Sequence, residues 1–309
     1  IKDKYIKVKS GNWNIVEPIF IENKDLIIED NTILNFSSES FIHIKNGNLK
    51  INQNLYKIND RSTTQLKAIN DYWLGIYVEN NNEMTQKSVI KNAIIKDTKN
   101  FKYKLYNLMG GINFYKSNIE INNLEINNSY SEDQINFINT NFNINNSIFS
   151  NSISDSIDSD FSKGTIKNSK FNNIQGDAID TSGSIVELEN IKIKNVFDKG
   201  LSIGEGSIVK GKNIEVIDSG VGVAIKDSSN LELKNFSSLN SFIADILSIN
   251  KKDFFGKSIA RIFTSKIMKD KTSIIGLKNE IYLNDELLPT QNIDAKELYQ
   301  LERMKKNAI

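Results

Sequence analysis

Asp155-Ser156-Ile157-Asp158-Ser159-Asp160, Asp177-Ala178-Ile179-Asp180-Thr181-Ser182, Lys199-Gly200-Leu201-Ser202-Ile203-Gly204 and Val221-Gly222-Val223-Ala224-Ile225-Lys226 are four versions of one row, repeated at a constant step. Asp133-Gln134-Ile135-Asn136 stands one further step upstream, so Ile135, Ile157, Ile179, Leu201 and Val223 share one column. A fixed period of this size means one structural unit stacked on itself. Within a row, apolar residues alternate over four to six positions and then break at Asn, Gly, Ser or Asp, which is the pattern of short strands rather than helix. Stacked short strands with polar corners predict an all-β fold, a parallel β-helix in which each coil lies about 4.8 Å above the last. Parallel crossovers favour right-handed coils, so the sequence predicts a single right-handed parallel β-helix (solenoid) of about 22–23 residues per coil with capped ends.

Outward from these rows, a turn asparagine recurs at Asn122, Asn145, Asn168, Asn190, Asn213 and Asn235. Asparagine tolerates the left-handed conformation of a tight corner, and its amide can bond to the amide one coil away. Earlier rows are legible but less regular, among them Phe41-Ile42-His43-Ile44 and Trp73-Leu74-Gly75-Ile76-Tyr77-Val78. The step from Asn92 to Asn122 is longer than any between the later asparagines, which places an extra loop at Asp97 to Met109, where it can wall one face. The expected organisation is an N-terminal cap over 1–25, the β-helix over 26–250, and a C-terminal cap over 251–309 with a short helix carrying Leu298 and Leu301.

With 39 basic and 38 acidic residues the net charge is +1, so no global field recruits nucleic acid or an anionic membrane. The chain has no cysteine, which excludes disulfides, thiolate metal sites and thiol nucleophiles. The one histidine, His43, lies far from the charged rows and reads as packing or surface. No apolar stretch reaches membrane-spanning length, and the start at Ile1-Lys2-Asp3-Lys4 lacks both a signal pattern and an initiator Met. A trimmed segment, with a neighbouring domain outside it, is the corresponding expectation.

The charged rows carry the chemistry. Residues two apart on a strand point the same way, so Ser156, Asp158 and Asp160 in one row and Asp180 and Ser182 in the next are expected on an exposed face opposite the core isoleucines. Asp155 and Asp177 share the parity of the core and are expected in the corner, bonded to backbone amides. Stacked carboxylates about 5 Å apart repel, which demands compensation by Lys199, Lys226 or Lys163, by Ca²⁺ at Asp155 and Asp177, or by a shared proton. Carboxyls across rows suit a retaining glycosidase and those two apart on one strand, roughly 7 Å, an inverting one. A uronate lyase or C5-epimerase would need a base, available in Lys199, Lys226 or Tyr115, and a cation. The candidate catalytic set is therefore Asp158, Asp160, Asp180, Lys199 and Lys226, with Glu132, Asn136, Ser182, Glu205 and Tyr115 as candidate substrate-binding residues. The alternative is a non-catalytic surface module that binds glycan or calcium, or a spacer.

Asp71-Tyr72-Trp73-Leu74-Gly75-Ile76 resembles the Trp-x-Gly-Ile opening of right-handed β-helix repeat proteins. The runs Ser154-Asp155-Ser156-Ile157-Asp158-Ser159-Asp160-Phe161 and Gly176-Asp177-Ala178-Ile179-Asp180-Thr181-Ser182-Gly183-Ser184 are similar to the β-helix domain found beside CotH-type kinase domains in bacterial surface proteins. The resemblance covers about half the chain. It implies a bacterial, extracytoplasmic right-handed β-helix whose acidic rows are its signature, and it implies no settled reaction. Read together, the residues and the resemblance predict a polysaccharide-active protein with a glycan as its partner.

Overall fold

The computed structural model describes residues 4–52, 63–81, 87–264, 273–293 and 298. The chain forms two compact units, Ile1–Ile153 and Ser154–Ile309. Both are parallel β-solenoids of the right-handed type, as the repeating rows require. The described strands run from Tyr5–Val8 to Glu286–Leu287.

In the first unit, residues 5–22 of the expected N-terminal cap already carry strands, and Ile19–Glu22 pairs in parallel with Ile42–Lys45. That strand pairs with Ile76–Glu79, which pairs with Gly110–Tyr115, which pairs with Asp133–Ile138. Ile42, Ile76, Ile112 and Ile135 form an inward column with no exposed surface. Trp73 is fully buried, stacked 4.0 Å from Phe36, with its indole N–H donated to the Lys96 carbonyl at 2.8 Å. The inserted segment after Asp97 forms a small antiparallel hairpin, Lys102–Tyr103 with Tyr106–Asn107. It folds onto its own unit, where Phe101 buries against Phe41, Tyr77 and Leu74.

In the second unit the column predicted from the period is the core: Ile157, Ile179, Leu201 and Val223 have no exposed surface, and Ile246, next in register after Val223, is 1% exposed. Ile185–Gly204 and Ile208–Lys226 each run through successive ladders, bending at Asn190 and Asn195 and at Asn213 and Asp218, where φ lies between 55° and 57°. Corner amides link coil to coil: Asn190 donates to Asn168 at 2.9 Å, Asn213 to Asn190 at 2.8 Å and Asn235 to Asn213 at 2.8 Å. In the first unit the left-handed residues are Asn123 and Asn146 rather than Asn122 and Asn145, because the bend takes the second asparagine of each Asn-Asn pair. A second corner ladder, including Asn195 to Asn173 at 2.7 Å and Asn240 to Asp218 at 3.0 Å, runs beside the first.

Strands continue past residue 251: Ile259–Phe263 and Glu280–Leu283 extend the ladder, and Glu286–Leu287 turns back antiparallel on the last. Except for Leu298, the segment expected to form the short helix lies outside the described residues. Leu298 packs with Ile243, Ile274 and Ile293 over Val221, Ala224, Leu247 and Ile249.

Candidate functional site

The second unit brings the acidic rows together along one sheet and its entry corner. Asp158 pairs in register with Asp180, Asp180 with Ser202 and Ser202 with Ala224; Asp160 pairs with Ser182 and Ser182 with Gly204. Asp158, Asp160, Asp180 and Ser182 are half-buried, while Ser156, grouped with them by parity, is fully buried. The Asp180 carboxylate accepts the Thr181 N–H at 2.9 Å. Toward the C-terminal end this column turns apolar at Ala224 and Leu247, where the cluster holding Ile293 and Leu298 covers it.

The corner column is buried and internally bonded. Asp155 Oδ1 accepts the Asp177 N–H at 2.8 Å, and Asp177 Oδ1 accepts the Lys199 N–H at 3.0 Å. Gly176 makes this possible, since a Cβ there would stand 2.0 Å from Asp155 Oδ1. The Lys199 ammonium lies 3.1 Å from Asp177 Oδ1 and 2.7 Å from Asp198 Oδ2, with all three residues at most 5% exposed. Lys199 thus supplies a compensating charge to the corner carboxylates Asp177 and Asp198.

Asp198 owes its place to an irregularity. Val196 pairs with Ser219 but Lys199 pairs with Val221, so one row carries an extra residue at Phe197–Asp198. Such a bulge re-aims side chains. Burial, with Asp177 beside it, pushes the Asp198 carboxyl up to about 6. Its Oδ1 takes no hydrogen bond from the described residues.

Lys226 reaches back across the sheet and donates to Ser202 Oγ at 2.7 Å, its stem crossing Gly204, where a Cβ would meet Cε at 3.4 Å. That hydroxyl follows Asp180 in the same column. Glu205 sits in the left-handed turn after this strand and pairs with Lys252. Carboxylate oxygens of Asp155, Asp177 and Asp180 all lie within 4.8 Å of one another, a spacing a divalent cation can bridge. These three include both expected metal residues, with Asp180 added from the face.

Glu132, Asn136 and Tyr115 belong to the first unit. Glu132 is half-buried and its backbone N–H donates to Asn100; the Asn136 amide donates to Asp133 at 3.4 Å; Tyr115 pairs in register with Glu79 beneath Lys116. The same outward columns hold a network that sequence reasoning passed over. His43 Nε2 meets Glu79 Oε1 at 2.9 Å, Tyr77 donates to Glu79 Oε2 at 3.0 Å and Tyr106 to Oε1 at 3.4 Å. Burial and the Glu79 carboxylate push the Tyr77 phenol above its ordinary range, so it stays protonated. The register Phe20, His43, Tyr77 is hidden by unequal steps, the second much longer than the first, where the downstream rows keep a constant one.

No protein-family model matches the chain, and no curated protein matches it by sequence. Among solved structures, the enzymatically active domain of tailspike protein 2 of bacteriophage CBA120 aligns over 89% of this chain and 47% of its own, at 10% identity and a TM-score of 0.59. That likeness shows a shared fold. The catalytic domain of a GH87 α-1,3-glucanase in complex with tetrasaccharides aligns over 95% of this chain and 62% of its own, at 13% identity and a TM-score of 0.48. The A-module of the Azotobacter vinelandii mannuronan C-5 epimerase AlgE4 aligns over 95% of this chain and 90% of its own, at 10% identity and a TM-score of 0.37. The chain spans about half to three fifths of the length of the first two. Among the described residues no helix is long and apolar enough to cross a membrane.

Proposed function

We propose that the protein is an extracytoplasmic polysaccharide-active β-helix protein that works on glycan across the outward face of the second unit. The observation that carries this reading is the in-register pair Asp158 and Asp180, half-open to solvent while the corner carboxylates beside it are sealed. Neighbouring rows stand about 4.8 Å apart, near the roughly 5 Å that lets one carboxyl attack and the other protonate in retaining glycoside hydrolysis. In this reading Asp160 binds the sugar, and Lys226, buried and held by Ser202, supplies positive charge beneath the same face. For a uronate that ammonium would neutralise the sugar carboxylate, making proton abstraction beside it easier. Hydrolysis, elimination and epimerisation all remain within reach of this set. Incubation with a panel of neutral and uronate polysaccharides, followed by product mass analysis, separates them: hydrolysis adds water, elimination leaves an unsaturated end, and epimerisation changes no mass. No product from any polymer, with no change in uronate stereochemistry, would overturn the enzyme reading.

A second reading, a calcium-dependent surface module, draws on the proximity of Asp155, Asp177 and Asp180. Ca²⁺ bound there would compete with Lys199 for Asp177. Melting in millimolar Ca²⁺ and in chelator tests this, since a ligand of the folded state raises its midpoint. Identical melts would sink it.

A further inference from the structure

The second ladder of corner residues borders a groove of about 500 Å³ that the acidic rows do not use. Its walls include Gln175, Asn195, Phe197, Asp218, Asn240 and Phe242. This volume falls within the range of small-molecule sites, roughly 300–1,000 Å³.

The groove follows from the register. Ile174 pairs with Val196 and Val196 with Ser219, so Gln175, Phe197 and Gly220 occupy one column; the Phe242 N–H donates to the Ser219 carbonyl at 2.8 Å, which adds Phe242 as the next member. Phe197 and Phe242 are therefore two coils apart, about 10 Å along the stack. Between them stands Gly220, where a Cβ would come within 2.6 Å of the Phe197 and Asp198 carbonyls. No side chain can fill that position. The bulge at Phe197–Asp198 supplies the extra residue opposite this glycine, sending Asp198 into the corner and leaving Phe197 half-buried at the groove. Phe242, 68% exposed, borders the other side.

Phe197 and Phe242 in one lining, with amides and a carboxylate beside them, match the chemistry of a pyranose. A sugar ring presents C–H patches to aromatic faces and hydroxyls around its edge, and those hydroxyls bond to amides and carboxylates alike. Asn195 and Asn240 are pre-oriented by their bonds to Asn173 and Asp218. The carboxylate in the lining is Asp218, which would repel a uronate at this point. We propose that this groove is a binding subsite for a neutral pyranose residue of a polysaccharide, beside the corner formed by Asp177 and Lys199. It does not depend on chemistry at the acidic face.

Affinity electrophoresis in native gels containing dextran, laminarin, mixed-linkage β-glucan, galactomannan, alginate or polygalacturonate tests the proposal. At least one neutral polymer should retard the protein, and Phe242→Ala should weaken that retardation about ten-fold while Phe242→Trp retains it. Because Phe242 is largely exposed, the alanine variant should melt with the wild type. Retardation by the uronate polymers alone, by none of the six, or equally for wild type and Phe242→Ala would overturn the subsite. Product formation from the polysaccharide panel reads the acidic face separately. Products without Phe242-dependent retardation would refute the groove and leave the proposed function standing, and the reverse result would refute the function alone.

Discussion

Asp198 sits at the least comfortable point of the corner, 5% exposed, 2.7 Å from Lys199 and beside Asp177. Burial and Asp177 outweigh the attraction of Lys199, so the carboxyl titrates near about 6 instead of its ordinary 3.8. A raised folded-state value means that the fold binds this proton more tightly than the unfolded chain. The resulting stability is complete below pH 4 and is lost as pH rises through 6. Between pH 4 and pH 7, Asp198→Asn should gain about 1–3 kcal/mol relative to the wild type in urea melts; parallel pH profiles would contradict this. A second contrast separates corner from face. Asp155→Asn weakens a buried charge-assisted bond to the Asp177 N–H and should cost about 1–2 kcal/mol. Asp180→Asn eases repulsion on a half-open face and should fall within about 0.5 kcal/mol of the wild type. Denaturant midpoints measured side by side decide it.

At the scale of strands and corners, the asparagine ladders do two jobs that substitution can pull apart. Asn213 has φ 57° and bonds to Asn190 on one side and Asn235 on the other. Asn213→Gly keeps the backbone conformation and loses the ladder; Asn213→Ala loses both, so alanine should be worse by about 1 kcal/mol. Thermal melts of the pair test that order. Trp73→Ala should cost about 3–5 kcal/mol and broaden the transition beyond its own row, because the ring is fully buried against Phe36; a variant melting like the wild type would contradict its place in the core. What is legible in the sequence follows the same elements. From Asp133 to Lys226 the step is constant, so the core column, the corner aspartates and the outward Asp158 and Asp180 can all be located from the amino acids alone. Upstream, insertions make the steps unequal, and the columns joining His43, Tyr77 and Glu79 are lost to inspection. The bulge at Phe197–Asp198 escapes for another reason: the longer step from Val196 to Ser219 is followed by the ordinary step from Lys199 to Val221, so the extra residue leaves the row spacing intact.

At the largest scale, the second unit sets its polar residues to two different tasks. Buried ones such as Asp155, Asp177 and Lys199 hold coils together, and half-open ones such as Asp158, Asp160 and Asp180 are presented to solvent. A solenoid built only for stability has no need of like charges in register on an outward face, and their presence there is what the polysaccharide-active reading explains. The central claim is that Asp158 and Asp180 act on glycan. Its most direct test is the initial rate of product formation, on whichever polymer of the panel the wild type converts, for the wild type, Asp158→Asn and Asp180→Asn at equal folded concentration. We predict that each asparagine variant loses at least about 100-fold in rate, as removal of an acid, base or nucleophile does, while melting with the wild type; rates equal to the wild type would contradict the account.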